Sequence, residues 1–286
     1  MTISNVEKLI NKAQKAHDNF NLDMAFKYLS EALEINSKNA MIYQLRSSIF
    51  SDIEFYECAI AELEKAQALA RNDPEIHGSK AFNYMKLEKP RQAIKELNKA
   101  LALQPDTAMY YHFRSSCYSD LGKHDKALTD INRAIELDGG NFMYFMARSS
   151  IFVGLSNFDE SLRDLDKVIE LEPDLAVAYF TRACLYEEMG EEAKADADYE
   201  KAEELGFDED DFLGDYDDDE DDWDDEDDEL WDDDWDWGVE EDKDDDQKIL
   251  EEFLAAQRKK QAQEKEVKME VVKPKGKGKG KKKDKG

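Results

Sequence analysis

Tryptophan is missing from the N-terminal three quarters of this chain, and all four tryptophans, Trp223, Trp231, Trp235 and Trp237, lie inside its most acidic segment. Such side chains ordinarily occupy cores and interfaces, so the long segment before them must build a core from smaller apolar groups. Cysteine is scarce as well. Cys58, Cys117 and Cys184 are three widely spaced thiols, a pattern that fits reduced, buried or part-buried positions and argues against a disulfide framework. The four histidines, His17, His77, His112 and His124, show no ligand spacing, so no metal and no other cofactor is expected.

Long apolar runs are missing too, since nothing approaches the ~18 residues that a membrane span needs. The opening MTISNVEKLINKAQ has no basic start followed by an apolar stretch, as a secretory leader would have. The expectation is a soluble cytoplasmic protein, nuclear as an alternative in a eukaryotic host, with no membrane partner. No phosphate-binding glycine loop, nucleophile elbow or isolated acid pair is present, and the carboxylates are too abundant and too periodic to nominate any as catalytic, so an enzyme is not expected.

What is abundant is negative charge, with a formal net charge of −30 over 286 residues. It falls in three blocks. Residues 207–246 carry 27 acidic side chains against one lysine, residues 247–286 carry 14 basic against 6 acidic, and residues 1–206 hold a net −12.

The first block is periodic. Small residues recur at Ala25, Ala59, Ala93, Ala127, Ser161 and Ala195, and again at Ala32, Ala66, Ala100, Ala134, Val168 and Ala202, both columns at a constant 34-residue spacing. Within a unit the apolar spacing is helical: in AIKELNKALAL, Ala93, Ile94, Leu97, Ala100, Leu101 and Leu103 cover one broad face. Two helices per unit follow, the first carrying an aromatic column at Tyr43, Tyr111, Phe145 and Tyr179, the second a column at Leu29, Leu63, Leu97, Ile131 and Leu165. Pro74, Pro90, Pro105 and Pro173 fall at predicted helix starts or between units, never inside a helix.

This pattern resembles the tetratricopeptide repeat family, with small residues at the eighth, twentieth and twenty-seventh positions; the eighth is Ala13, Ser47, Ala81, Ser115, Ser149 and Ala183. The fold expected is all-α: a right-handed superhelical solenoid of six 34-residue helix-turn-helix repeats (6–39, 40–73, 74–107, 108–141, 142–175 and 176–209), followed by a disordered tail. The last unit puts Asp196 and Glu203 on its outer face, as a cap ending a solenoid should.

The phrase RSS at Arg46, Arg114 and Arg148 has a plain explanation in the same register. Position seven is basic in every unit (Lys12, Arg46, Lys80, Arg114, Arg148, Arg182) and position twenty-three is acidic in five (Glu62, Glu96, Asp130, Asp164, Asp198). An ion pair between the two helices of a unit is expected, because buried charges are normally paired.

The resemblance implies a concave groove lined by the first helices, with positions two, five, nine and twelve facing it. In this chain those include Met41, Gln44, Phe82, Met109, His112, Met143, Met146 and Phe180. The lysine, asparagine and arginine of the family's carboxylate clamp are absent from this face, so binding to Hsp70 or Hsp90 chaperone termini is not expected. A methionine and aromatic lining suits a helix or aromatic-bearing peptide. The plainer alternative is that these side chains only pack between units.

After the repeats, residues 207–246 cannot bury enough apolar surface to offset chain entropy, and disorder is expected. Three readings of this segment stay open. It is a solubilising polyacid; or Phe212, Tyr216, Trp223, Trp231, Trp235 and Trp237 engage or shield a basic partner, as in histone-chaperone-type or nucleic-acid-mimicking proteins; or the tryptophans occupy the chain's own groove as an autoinhibitory ligand, against the −12 charge of the body. Residues 247–266 are predicted to form a short amphipathic helix bearing Ile249, Leu250, Phe253 and Leu254, and 267–286 a disordered Lys/Gly-rich tail that folds back on the polyacid at least as readily as it binds nucleic acid. The function expected is a non-catalytic protein-protein interaction scaffold.

Overall fold

The computed structural model describes residues 2–207. The segments 208–246, 247–266 and 267–286, with the tail residues Phe212, Tyr216, Trp223, Trp231, Trp235 and Trp237, lie outside the described residues.

Among the described residues there are twelve helices and no strand: α1 (Thr2–Asp18), α2 (Leu22–Ile35), α3 (Ala40–Asp52), α4 (Tyr56–Leu69), α5 (Pro74–Lys86), α6 (Pro90–Leu103), α7 (Ala108–Asp120), α8 (His124–Leu137), α9 (Phe142–Gly154), α10 (Phe158–Leu171), α11 (Ala176–Glu188) and α12 (Glu192–Glu204). They pack as consecutive antiparallel pairs into a right-handed superhelical solenoid. From α3 onward the first helices begin at Ala40, Pro74, Ala108, Phe142 and Ala176, in step with the sequence period. First helices of neighbouring pairs (α1 and α3, α5 and α7, α7 and α9) approach one another more closely than second helices do, which puts the odd-numbered row on the inner face.

Helix starts follow from the local chemistry. Asn21, Asn39, Asp73 and Asn141 cap α2, α3, α5 and α9 by accepting a backbone N–H with the side-chain oxygen, each worth about 1 kcal/mol. Pro74 and Pro90 open α5 and α6 at the position where a missing N–H costs nothing. The turn inside each pair passes through one left-handed residue, Phe20, Glu54, Glu88, Gly122, Ser156 and Gly190 in order. The backbone N–H after it bonds back to the carbonyl five residues earlier, for example Lys123 N–H to Tyr118 O at 2.8 Å, closing the helix end and reversing the chain.

The small-residue columns mark where paired helices cross. Ala25, Ala59, Ala93, Ala127 and Ser161 are fully buried, as are Ala32, Ala66, Ala100, Ala134 and Val168. Beside them Leu29, Leu63, Leu97, Ile131 and Leu165 fill the space between helices at 0–1% exposure, each contributing roughly 1.5–3 kcal/mol of burial. Ser115 donates to the Ala127 carbonyl at 2.8 Å and Ser149 bonds Ser161 at 2.8 Å, so the serines in these columns bury their hydroxyls without orphaning them. A row near the ends of the second helices departs from simple core behaviour: Ile35, Leu69 and Leu103 are 44%, 42% and 43% exposed, because the helices are ending there.

One glycine is needed for space. A Cβ on Gly78 would stand 2.5 Å from Cε1 of Tyr110, whose ring lies over α5 and whose hydroxyl donates to the Pro74 carbonyl at 3.2 Å.

Candidate functional site

The inner face presents a nearly uncharged surface. Met41, Met109 and Met143 take the same position of α3, α7 and α9 and are 57%, 48% and 50% exposed, and Phe82 of α5 is 37% exposed. Met146 and His112 are half-buried beside them. Gln44 donates to Asp73 at 3.0 Å, tying α3 to the start of α5. Phe180 of α11 is 9% exposed because Phe207 stacks on it, ring centroids 4.3 Å apart, with Tyr199 at 5.7 Å.

Aromatic rings form a run from this face into the core beneath it. Phe82 lies 6.2 Å from Phe113, Phe113 5.9 Å from His112, and His112 5.3 Å from Tyr144, all tilted, a geometry suited to the ring quadrupoles. Burial lowers the pKa of His112, so the ring is neutral at pH 7, and its buried Nδ1 has no hydrogen-bond partner among the described residues. Lys86 places its ammonium over the Phe82 ring at 5.8 Å from the centroid, marking one rim of the face.

Behind the inner face runs an ionic ladder. Arg114, Arg148 and Arg182 each grip the carboxylate sixteen residues ahead with two nitrogens: Arg114 with Asp130 at 2.7 and 2.8 Å, Arg148 with Asp164 at 2.8 and 2.6 Å, and Arg182 with Asp198 at 2.7 and 2.8 Å. These hydrogen bonds, set against burial, raise the pKa of all three guanidinium groups. Arg46 stands 3.5 Å from Glu62 and Lys80 4.0 Å from Glu96, so the second and third repeats close this pair loosely. Tyr28 occupies the acidic position in the first repeat, and Lys12 lies over its ring at 5.4 Å, a cation–π contact in place of an ion pair.

The sequence reading missed the other half of the ladder. Four of these cations also reach sixteen residues back, to the second helix of the preceding repeat: Lys80 to Glu64 at 3.5 Å, Arg114 to Asn98 at 2.7 Å, Arg148 to Asn132 at 2.7 Å and Arg182 to Asp166 at 2.6 Å. One side chain thus fastens both its own helix pair and the joint between pairs. The signal was present as a polar column at 34-residue spacing, Glu64, Asn98, Asn132 and Asp166.

The third repeat has a different polar centre. His77 replaces the aromatic residue of its column and bonds Glu96 through Nδ1 at 2.6 Å, with Lys99 donating to the same carboxylate at 2.8 Å. Burial alone would raise the Glu96 pKa, yet the bonds from Lys99 and His77 and the charge of Lys80 outweigh it and the net shift is downward. Of the thiols, Cys58 and Cys117 are buried and Cys184 is exposed on the inner face. Burial pushes the Cys117 pKa up to about 12, which leaves it protonated and unreactive.

Among the described residues no group of three or more His, Cys, Asp or Glu could hold a metal ion, and no helix is long and apolar enough to cross a membrane. The repeat and its geometry are those of a known class. Residues 80–142 and 176–205 match family models described as tetratricopeptide repeat, so the chain carries tetratricopeptide repeats. Its fold is similar to that of a tetratricopeptide repeat protein from Parabacteroides merdae (24% identity, 72% of this chain and 81% of that chain, TM-score 0.62). Pseudomonas aeruginosa pilF is similar over 72% of this chain and 93% of that chain at 14% identity, TM-score 0.63. YrrB, described as a TPR protein with an unusual peptide-binding site, is similar over 62% of this chain and 92% of that chain at 21% identity, TM-score 0.50. No curated protein matches the chain.

Proposed function

We propose that this protein is a non-catalytic interaction scaffold whose inner face holds a peptide or helix from another protein. The observation that carries this reading is the row Met41, Met109 and Met143, each about half exposed on an uncharged surface where water would otherwise cover apolar side chains. Methionine adapts its shape to a partner at little cost, and Phe82 with the adjoining rings supplies rigid walls. Packing between repeats, the plainer role for the same residues, would leave them less exposed than this. The peptide-binding site attributed to YrrB, a solenoid of the same class, supports the reading.

The acidic aromatic segment, residues 207–246, is proposed to engage or shield a basic partner in the cytoplasm, its carboxylates supplying long-range attraction and its tryptophans the apolar contact.

Selection of peptides from a displayed library against the full chain tests the groove. The tightest peptide is expected to lose at least tenfold in affinity for Met109→Glu/Met143→Glu while helical content and unfolding midpoint stay unchanged. Collapse of the helical signal in that variant would instead assign both methionines to packing.

A further inference from the structure

The groove does not stand empty in the resting chain: we infer that its first occupant is the chain's own segment Trp231–Trp237, seated over Phe82, Met109 and Met143 in the same molecule. This rests on the reading of the inner face as a binding groove.

Four observations carry it. The first is where the described chain ends. Phe207 stacks on Phe180, one of the residues lining the inner face, so the described chain ends against that face, and the segment that follows is tethered there.

Length is the second. The stretch from Phe207 to Trp231, taken as a flexible linker of roughly 24 residues, has a root-mean-square span of about 25–29 Å, and charge repulsion extends it further. Met109 and Phe82 lie two and three repeats back from Phe180, roughly 20–30 Å at the ~10 Å separation of packed helices. Span and distance match, the condition under which a tethered ligand reaches an effective concentration on the order of millimolar.

The third is the distribution of charge. The body's net −12 would oppose an acidic ligand everywhere only if it were spread evenly, and it is not: residues 142–206 hold 16 acidic side chains against 6 basic, while residues 74–107 hold 6 basic against 4 acidic. Along the inner-face positions from Met41 to Phe180 the one formal charge is Glu75. Lys86 at the rim, and Lys89 and Lys123 at the starts of α6 and α8, are exposed and form no ion pair among the described residues. Lys86 already sits over Phe82. An apolar floor with an unpaired lysine at its edge suits tryptophans flanked by aspartates, as in LWDDDWDWG.

The fourth is supply. The repeats bring no tryptophan of their own to such a floor, and the chain's four tryptophans all lie in the segment that follows Phe207.

The same distribution makes the test clean, because no tryptophan lies among residues 2–207 and indole emission reports the tail alone. In the full chain, emission is expected to be blue-shifted from that of a water-exposed indole and unchanged over a hundredfold dilution. Met109→Glu/Met143→Glu and Lys86→Glu/Lys89→Glu/Lys123→Glu should each return it to the red. Water-like emission from the unaltered chain, or a blue shift that both variants retain, overturns the inference; a blue shift lost on dilution assigns the contact to a second copy and overturns it too. A second arm separates this failure from failure of the groove itself. Replacing Trp231, Trp235 and Trp237 by Ala in the full chain should tighten the selected library peptide about tenfold, since a competing tether is removed. Equal affinity with and without the tryptophans would leave the groove intact and sink its self-occupancy, whereas no peptide binding to either chain would remove the groove reading while the emission data still decide where the tail sits.

Discussion

Repeats 4 to 6 and repeats 1 to 3 share a backbone and differ in how their two helices are fastened. In the later three, an arginine meets an aspartate through two short bonds and turns its remaining nitrogen to the preceding repeat. In the earlier ones, a lysine over tyrosine, an arginine 3.5 Å from a glutamate, and a lysine 4.0 Å from another do the corresponding work. Glutamate is one methylene longer than aspartate, so Glu62 and Glu96 turn to Lys65 and Lys99 on their own helices, at 3.1 and 2.8 Å, and leave the column cations Arg46 and Lys80 more distant, while His77 takes the close bond across the third pair at 2.6 Å. The planar fork of arginine matches a carboxylate held at fixed range. A single ionic column therefore yields a tight half and a loose half.

The sharpest way to break the comparison is to remove the carboxylate from each half. Asp164→Ala strands the Arg148 guanidinium, whose side chain is only 23% exposed, and should lower unfolding free energy by about 3 kcal/mol, the low end for breaking a buried pair. Glu62→Ala should cost roughly 1 kcal/mol, because Arg46 already lacks a close bond to it. Urea titrations of the two variants that give equal losses would erase the distinction.

A smaller effect is expected at the joints. Asn132→Ala removes one charge-assisted bond to Arg148 and should cost about 1.5 kcal/mol, with a broader unfolding transition, since solenoid cooperativity resides in its interfaces. The converse variant sharpens the point: Ser30, exposed at the equivalent position, makes no bond to Arg46 among the described residues, and Ser30→Asn should stabilise the first joint by up to ~1 kcal/mol. Thermal denaturation of both proteins checks the pair.

The smallest effect is a pH dependence confined to the third repeat. The folded-state pKa of Glu96 is depressed below 4.5, so its contribution is present above that value and is lost as pH falls through the folded pKa. The stability gap between the natural chain and Glu96→Gln should narrow as pH falls below 4.5. A gap that widens on acidification would reverse the assignment. Half-exposed Lys99, at 43%, limits the size of the effect.

Much of this was legible beforehand. The 34-residue columns pointed to the helix pairs, since a small residue is needed wherever two helices cross, and the small residues at positions eight, twenty and twenty-seven are buried. The basic and acidic columns pointed to the intra-repeat pair. What the periodicity did not reveal was the second grip sixteen residues back, because a polar column of Glu, Asn, Asn and Asp reads as an ordinary solvated face until the neighbouring helix is in place. Nor did it foretell that Tyr110 lies over Gly78, or that Phe207 closes over Phe180. For the candidate groove, the sequence named the residues at inner-face positions, and the fold distinguished exposed Met41, Met109 and Met143 from half-buried Met146 and covered Phe180.

By itself, then, the sequence determined the helical pairs, their number among the described residues, and the charge each block carries, because these depend on local spacing and composition. Only the tertiary structure decided which cations are shared between repeats, which apolar side chains remain in water, and against which ring Phe207 closes. Those outcomes depend on distances between side chains far apart in the chain, set by how each helix pair stacks on the one before it.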